Sequence, residues 1–347
     1  MEANRSVPQN FDRTIWIALL VIAAMDVAAT LAGTYHIAWS SFLKPLSGTA
    51  ICVCGGWLYQ SFRPDPRLSA ALTGTAQLIA FAAVGAPLSY IAAGAGLPLW
   101  DSTFAAWDRS LGLDWMALLG TMNAHPAFHF VCALAYQSFP VQATMVILAL
   151  AFAGRASRLR LFMLTFIAAT VVTIALSAAM PAQGVWGHLD LSPQDYPAIA
   201  PVTQRLHLSV LNGLRDGSFR ELVAQGAEGI ITFPSLHAAL AVLFIFALWP
   251  IRYLGWASAA LNLTMIVATP IDGGHYFTDV IAGAGIAIVC WLGIGRMMRP
   301  VAVNGIGTAA WSEQSPPLAP DILPAQSPAG GLPHIRHQGG EIEKVHP

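Results

Sequence analysis

Two short stretches hold the residues able to do chemistry. In ITFPSLHAAL, residues 231–240, His237 sits one turn into an apolar run. In IDGGHYFTDV, residues 271–280, His275 is followed four positions later by Asp279. Residues i and i+4 share one helical face, so that carboxylate reaches that imidazole. Holding one ring nitrogen fixes the tautomer and leaves the other as a nucleophile. Gly273 and Gly274 let backbone approach a ligand closely. Pro234 suits a first helical turn, and Ser235 offers both a hydroxyl and an N–H. A helix starting at each stretch would present free N–H groups and a positive dipole end, a ready anion site. The pattern predicts an anion pocket with a nucleophilic histidine and a second histidine for proton transfer. Phosphate is the anion that suits such attack, because catalysis then rests on in-line positioning and on donors around the equatorial oxygens.

The elements that must position these residues are membrane helices. Of 347 residues, 56% are hydrophobic and only 10% charged, against about 25% charged in an ordinary soluble domain. The sequence predicts an all-α, polytopic transmembrane helix bundle with eight spans, at 14–33, 46–61, 68–94, 127–152, 159–181, 234–251, 255–271 and 276–296. Residues 1–13 form an N-terminal segment and 14–298 the transmembrane domain. Residues 299–347, with SEQSPPLAPDILPAQSPAGGLP, read as a disordered tail. Arginines such as Arg13, Arg63, Arg67, Arg155, Arg158, Arg252 and Arg296 fall in the short segments on one side of this topology. Positive charge marks the cytoplasm. Both termini are therefore expected in the cytoplasm of a cytoplasmic membrane. His237 and His275, each in the first turn of its own span, are expected together at the periplasmic or exterior face. A net charge of −1 without a basic stripe excludes a nucleic-acid partner.

PSLH with HYFTD resembles the second and third motifs of the phosphatidic acid phosphatase type 2 superfamily, usually PSGH and SRxxxxxHxxxD. FPSLHAA, GGHYFTDVIAG, WDRSLGLDW and the segment GLRDGSFRELVAQGAEGIITFPSLH are most similar to the branch containing inositol phosphorylceramide synthases. The likeness covers residues 95–298. It implies a six-helix phosphatase-type core and a phosphorylated lipid as substrate, without metal or other cofactor. It further implies that His275 attacks phosphorus to form phosphohistidine, Asp279 orients it, and His237 handles the leaving-group and acceptor protons. Water as acceptor makes a lipid phosphate phosphatase; an alcohol makes a phosphotransferase. Two features depart from the family. Its first motif, KxxxxxxRP, is absent, and Ala268 and Thr269 stand where the third motif has SR. A dianion still needs cationic donors, and Arg215 and Arg220, in the loop leading to His237, are the favoured replacements over Arg205, Arg109 and Lys44. Ser235 and Gly274 complete the expected phosphate-binding set.

The remaining polar residues have plainer readings. Cys52, Cys54, Cys132 and Cys290 lie in apolar runs as packing residues. His125 and His129 form HxxxH, but no third ligand at useful spacing makes a metal site. Asp272 reads as structural, and Asp26 as an acid that pairs with a neighbouring helix or hydrates near the interface. Phe104, Trp107, Leu111 and Trp115 form one stripe, expected as an interfacial helix on the outer leaflet with Asp108 on its polar side. A different class of function stays open on these residues: a transporter or lipid-binding pseudoenzyme, with the His/Asp cluster as proton relay or anion site.

Overall fold

The computed structural model describes residues 6–199, 204–224 and 230–298. The expected tail at 299–347 lies outside the described residues, as does the start of the N-terminal segment. Among the described residues the chain is almost entirely helical: α1 Ser6–Leu31, α2 Trp39–Ser61, α3 Pro66–Ala93, α4 Asp101–Ser110, α5 Trp115–Ala124, α6 Pro126–Gln137, α7 Phe139–Phe152, α8 Ala156–Ala179, α9 Val185–His188, α10 Gln204–Asp216, α11 Leu236–Leu248, α12 Arg252–Asp272 and α13 Phe277–Met297. The two-residue strands β1 His36–Ile37 and β2 Glu221–Leu222 pair in parallel. The chain is a multi-pass membrane protein with an all-α bundle.

Each of the eight expected runs is helical, but they are not eight equivalent spans. Among the described residues, five helices are long and apolar enough to cross a bilayer: Phe11–Leu31 within α1, then α3, α8, α12 and α13. The fourth expected span is broken at Ser138 into α6 and α7, bent by 55°, and counted as one it makes a sixth. Pro140 in the first turn of α7 is the physical reason, since it has no N–H to return to the preceding turn. Its neighbour Ser138 turns its hydroxyl back onto the Ala135 carbonyl. α2 carries Lys44 and Pro45 and falls short in apolarity. α11 falls short in length, at 13 residues.

α11 is apolar on every side because it lies in the middle. Leu240, Leu243 and Phe244 are buried against α7, α8, α12 and α13, in a cluster with Ile147, Leu150, Phe162 and Met163. A second cluster (Phe104, Trp115, Trp186, Phe233 and Tyr276) packs α4, α5 and α9 against the starts of α11 and α13. A third, with Tyr35, Tyr90, Leu211, Leu214 and Leu222, ties α10 and the strand pair to the end of α3. α7 and α12 are also joined by polar groups: the Asn262 amide donates to Gln142, whose own amide donates to Ser138.

The early end of α11 leaves carbonyls without intrahelical donors. Arg158 of α8 supplies them: its Nε donates to the Ala247 carbonyl at 2.9 Å and Nη2 donates to that of Phe246. Its guanidinium also lies 5.1 Å from the Trp291 ring centroid. A cation at a helix C-terminus is favourable in both respects. Arg158→Leu is expected to destabilise the bundle by about 1.5–3 kcal/mol, the worth of hydrogen bonds to a charged group, and Arg158→Lys to recover part of it. Melting temperatures of the purified protein check this, with Arg155→Leu, whose bond to Pro250 is exposed, as the mild control.

Candidate active site

α11 begins at Ser235, the N-cap, whose hydroxyl accepts from the Ala238 N–H at 3.3 Å. Pro234 therefore stands before the cap rather than in the first turn. The Ser235 N–H donates to the Asp279 carbonyl at 3.0 Å, which joins the start of α11 to the first turn of α13. The two backbones meet at Gly283, where an added Cβ would come 2.1 Å from the Ser235 carbonyl oxygen. Two residues past the cap, the His237 ring stacks on Tyr136 of α6, centroids 4.0 Å apart and planes 15° apart. Phe139 meets its edge at 4.8 Å.

The second histidine comes on a tight turn. α12 stops at Asp272, and Gly274 adopts φ +67°, a backbone conformation that glycine takes without strain. The close approach expected of these glycines is to the protein's own chain. The Gly274 carbonyl accepts from Val185, and Gly184 packs beside it. A Cβ on Gly273 would lie 2.6 Å from His275 Cδ2 and 2.7 Å from the Tyr136 hydroxyl, so the turn runs between the two. Tyr136 thus touches His237 with its face while its hydroxyl borders the turn that carries His275.

His275 Nδ1 pairs with Asp279 Oδ2 at 3.3 Å. The same oxygen accepts from the Tyr276 N–H at 2.9 Å, and both residues are buried. Asp279 is completely covered, and its Oδ1 has no hydrogen-bond partner among the described residues. Desolvation lowers His275 from the usual imidazole range to about 4, with a hydrogen bond to the Thr232 backbone working the other way. The ring is therefore neutral over the physiological range.

Two acids from α4 hold this turn in place: Asp108, expected on the polar side of an interfacial helix, and Asp101, which no expectation covered. Asp101 accepts from the Gln183 and Gly184 N–H groups and from the Tyr276 hydroxyl. Asp108 accepts from the N–H groups of Phe277 and Thr278 and from the Thr278 hydroxyl, at 2.8–2.9 Å. The start of α13 is consequently not a free anion site: Asp108 and Asp279 already occupy its N–H groups, leaving α11 as the candidate. The signal was present in the spacing, since Asp101, Phe104 and Asp108 at i, i+3 and i+7 share one helical face. α4 is no interfacial stripe either. Phe104 and Trp115 are buried, Trp107 and Leu111 are exposed, and the chain breaks between α4 and α5.

The other polar residues fall as follows. His129 pairs with Asp272 at 3.1 Å inside the bundle, which ties α6 to the end of α12. His125 is exposed on the Thr121 carbonyl. No group of three or more potential ligands able to hold a metal ion exists among the described residues. Arg215 Nη2 donates to the Leu97 carbonyl, while its Nη1 is buried without a hydrogen-bond partner among the described residues. Arg220 lies 5.3 Å from the Tyr35 ring and donates to its hydroxyl. Both arginines thus fasten the segment before β2 to the end of α3 and the turn after α1, rather than touching either histidine. The side chain of Arg205 lies outside the described residues.

So the structure gathers His237, Ser235, Gly274, His275 and Asp279, with Tyr136, around one hairpin. A family model described as PAP2 superfamily matches residues 102–293. The chain belongs to the PAP2 superfamily. The matched segment runs from α4 to α13 and contains every one of these site residues, while α1, α2 and α3 stand outside it. No curated protein and no solved structure matches the chain. Membership of the PAP2 superfamily supports a phosphatase-type enzyme of lipid phosphates.

Gly283 generates a sharp test of this geometry. Gly283→Ala is expected to cost about 1–3 kcal/mol, as overpacking does, because a backbone carbonyl cannot move aside. Gly285→Ala, where a Cβ meets nothing within 4 Å, is expected to leave the melting temperature unchanged.

Proposed function

We propose that this PAP2 superfamily member transfers a phosphoryl group from a lipid phosphate through a phosphohistidine on His275. The observation that carries the reading is the buried His275–Asp279 pair beside His237, in a site where the imidazole is neutral. Asp279 holds Nδ1, and the lipid phosphate takes the place of the Thr232 backbone at the ring. The free ring nitrogen attacks phosphorus while the bond from phosphorus to the lipid oxygen breaks, and His237, entering the cycle protonated, donates that proton to the leaving oxygen. In the second half the acceptor gives its proton to His237, its oxygen attacks phosphorus, and the P–N bond breaks. Stacking between Tyr136 and Phe139 fixes the His237 ring for both transfers.

The phosphate oxygens would be held by the Ser235 hydroxyl proton, free because that oxygen accepts from Ala238, and by the Gly274 backbone. Of the two favoured cations, Arg215 keeps one terminal nitrogen without a hydrogen-bond partner among the described residues, and it would leave its contact with the Leu97 carbonyl to reach a phosphate. The acceptor is an alcohol if the likeness to the inositol phosphorylceramide synthase branch holds, and water otherwise. The arginine distribution supports a site on the exterior face of a cytoplasmic membrane, with both termini cytoplasmic.

Incubation with a ³²P-labelled lipid phosphate in chelator is expected to leave acid-labile label on the protein. His275→Ala should abolish label and turnover together, and Asp279→Asn should cut turnover by about 10²–10⁴-fold, the usual worth of such a group. Full turnover in His275→Ala would overturn the mechanism, and loss in chelator alone would point to a metal. The pH profile is a second check. A nucleophile protonated only near pH 4 loses activity as pH falls through that value, not through the ordinary histidine range. After correction for the substrate's own ionisation, the acid limb that reports His275 should have its midpoint near pH 4.

A further inference from the structure

The helices outside the matched segment build a feature of their own. α1, α2, α3 and the start of α8 line a half-open cavity of about 510 Å³, within the roughly 300–1,000 Å³ typical of small-molecule sites. It lies at the far end of α8 from the histidines. Leu159, Arg160 and Met163 line it, whereas the chain leaving the other end of α8 reaches Gly184 beside Gly274.

One stripe of α3 forms a polar wall. Ser69, Thr73 and Gln77, each four residues apart, all line the cavity and share one helical face. Gln77 is eleven residues into α3, about 16 Å from its start. It is 1% exposed, and its Nε2 has no hydrogen-bond partner among the described residues. A buried amide donor without a partner is costly and uncommon. Next to a bilayer, which offers no water, the cost is greater still. Such a group asks for an oxygen from something in the cavity.

The remaining lining says what kind of molecule that is. Trp16 and Trp57 offer indole surface, and Asp12, Asp65 and Arg160 stand with them. Arg160 already gives its Nε to Asp12 at 2.8 Å. Two acids to one base make a poor receptor for a phosphate or any other anion. Carboxylate, amide, hydroxyl and guanidinium together suit hydroxyl groups, each of which both donates and accepts. Indole rings suit the C–H face of the same molecule. We propose that this cavity is a second site, distinct from the histidine site, that binds a neutral polyhydroxylated group, a sugar or polyol, with Gln77 donating to a ligand hydroxyl at its inner end. The group comes either as a free molecule or as the head of a glycolipid.

The test uses the full chain in phosphatidylcholine nanodiscs prepared without sugar-based detergent. Labelled glucose and myo-inositol are titrated as free probes, discs doped with monoglucosyl diacylglycerol supply the lipid form, and inorganic phosphate is the anionic control. Saturable binding of a free probe, or selective retention of the glucolipid in native mass spectra, is expected. Gln77→Met and Thr73→Val, which keep side-chain bulk, should each weaken it at least tenfold without lowering the melting temperature. His275→Ala should leave it intact. Binding of phosphate in preference to the neutral probes would overturn the proposal. So would the absence of saturable binding to any probe, or full binding in both variants. None of these outcomes bears on the phosphohistidine, because the labelling experiment reads His275 alone.

Discussion

A helix that ends inside or beside hydrocarbon leaves N–H and C=O groups that lipid cannot satisfy, and this chain meets that constraint with side chains at each critical end. Ser235 caps the start of α11, Arg158 covers its last carbonyls, and Asp108 with Asp279 fills the start of α13. The histidine site exists because of these caps. Asp279 serves the Tyr276 N–H and the His275 ring with one oxygen. The same bond that closes the helix therefore aims the imidazole. A fold in which α11 ran through the membrane at full length, or α13 began without a carboxylate, would have no reason to place these groups together.

The caps also settle the local electrostatics. Three buried carboxylates, Asp101, Asp108 and Asp279, surround the turn that carries His275, and each is engaged with backbone N–H groups. Donated N–H groups hold these acids in place around the turn. The arginines of the segment before β2 spend hydrogen bonds and a ring contact on the end of α3 and on Tyr35 instead. The pocket is built to keep an imidazole neutral and oriented, and cationic help for phosphate has to come from its rim.

Much of this was legible in the chain itself, for physical reasons that also mark where legibility stops. Apolar runs report lipid contact directly, so all eight helical stretches stood out, and the i, i+4 spacing of His275 and Asp279 survives into the structure as a bond. Hydropathy says little about a bend or an early stop. The break at Ser138 was written in Pro140 only, and the shortness of α11 depends on Arg158, 89 positions away from Ala247. Asp101 and Asp108 were harder still. On an isolated α4 they look like a solvated polar face, and only partners some 80 and 170 residues distant reveal them as caps. Tyr136 had no signal at all, since aromatic stacking on His237 follows from how α6 leans after the bend.

The brevity of α11 sets the depth of its histidine. Thirteen residues span about 20 Å, against a hydrocarbon thickness of roughly 30 Å. Because α7, α8, α12 and α13 surround this helix, they and not lipid take up the shortfall. α11 starts against Gly283, six residues into α13, so the end that bears His237 lies about 9 Å below the first residue of α13, walled by protein.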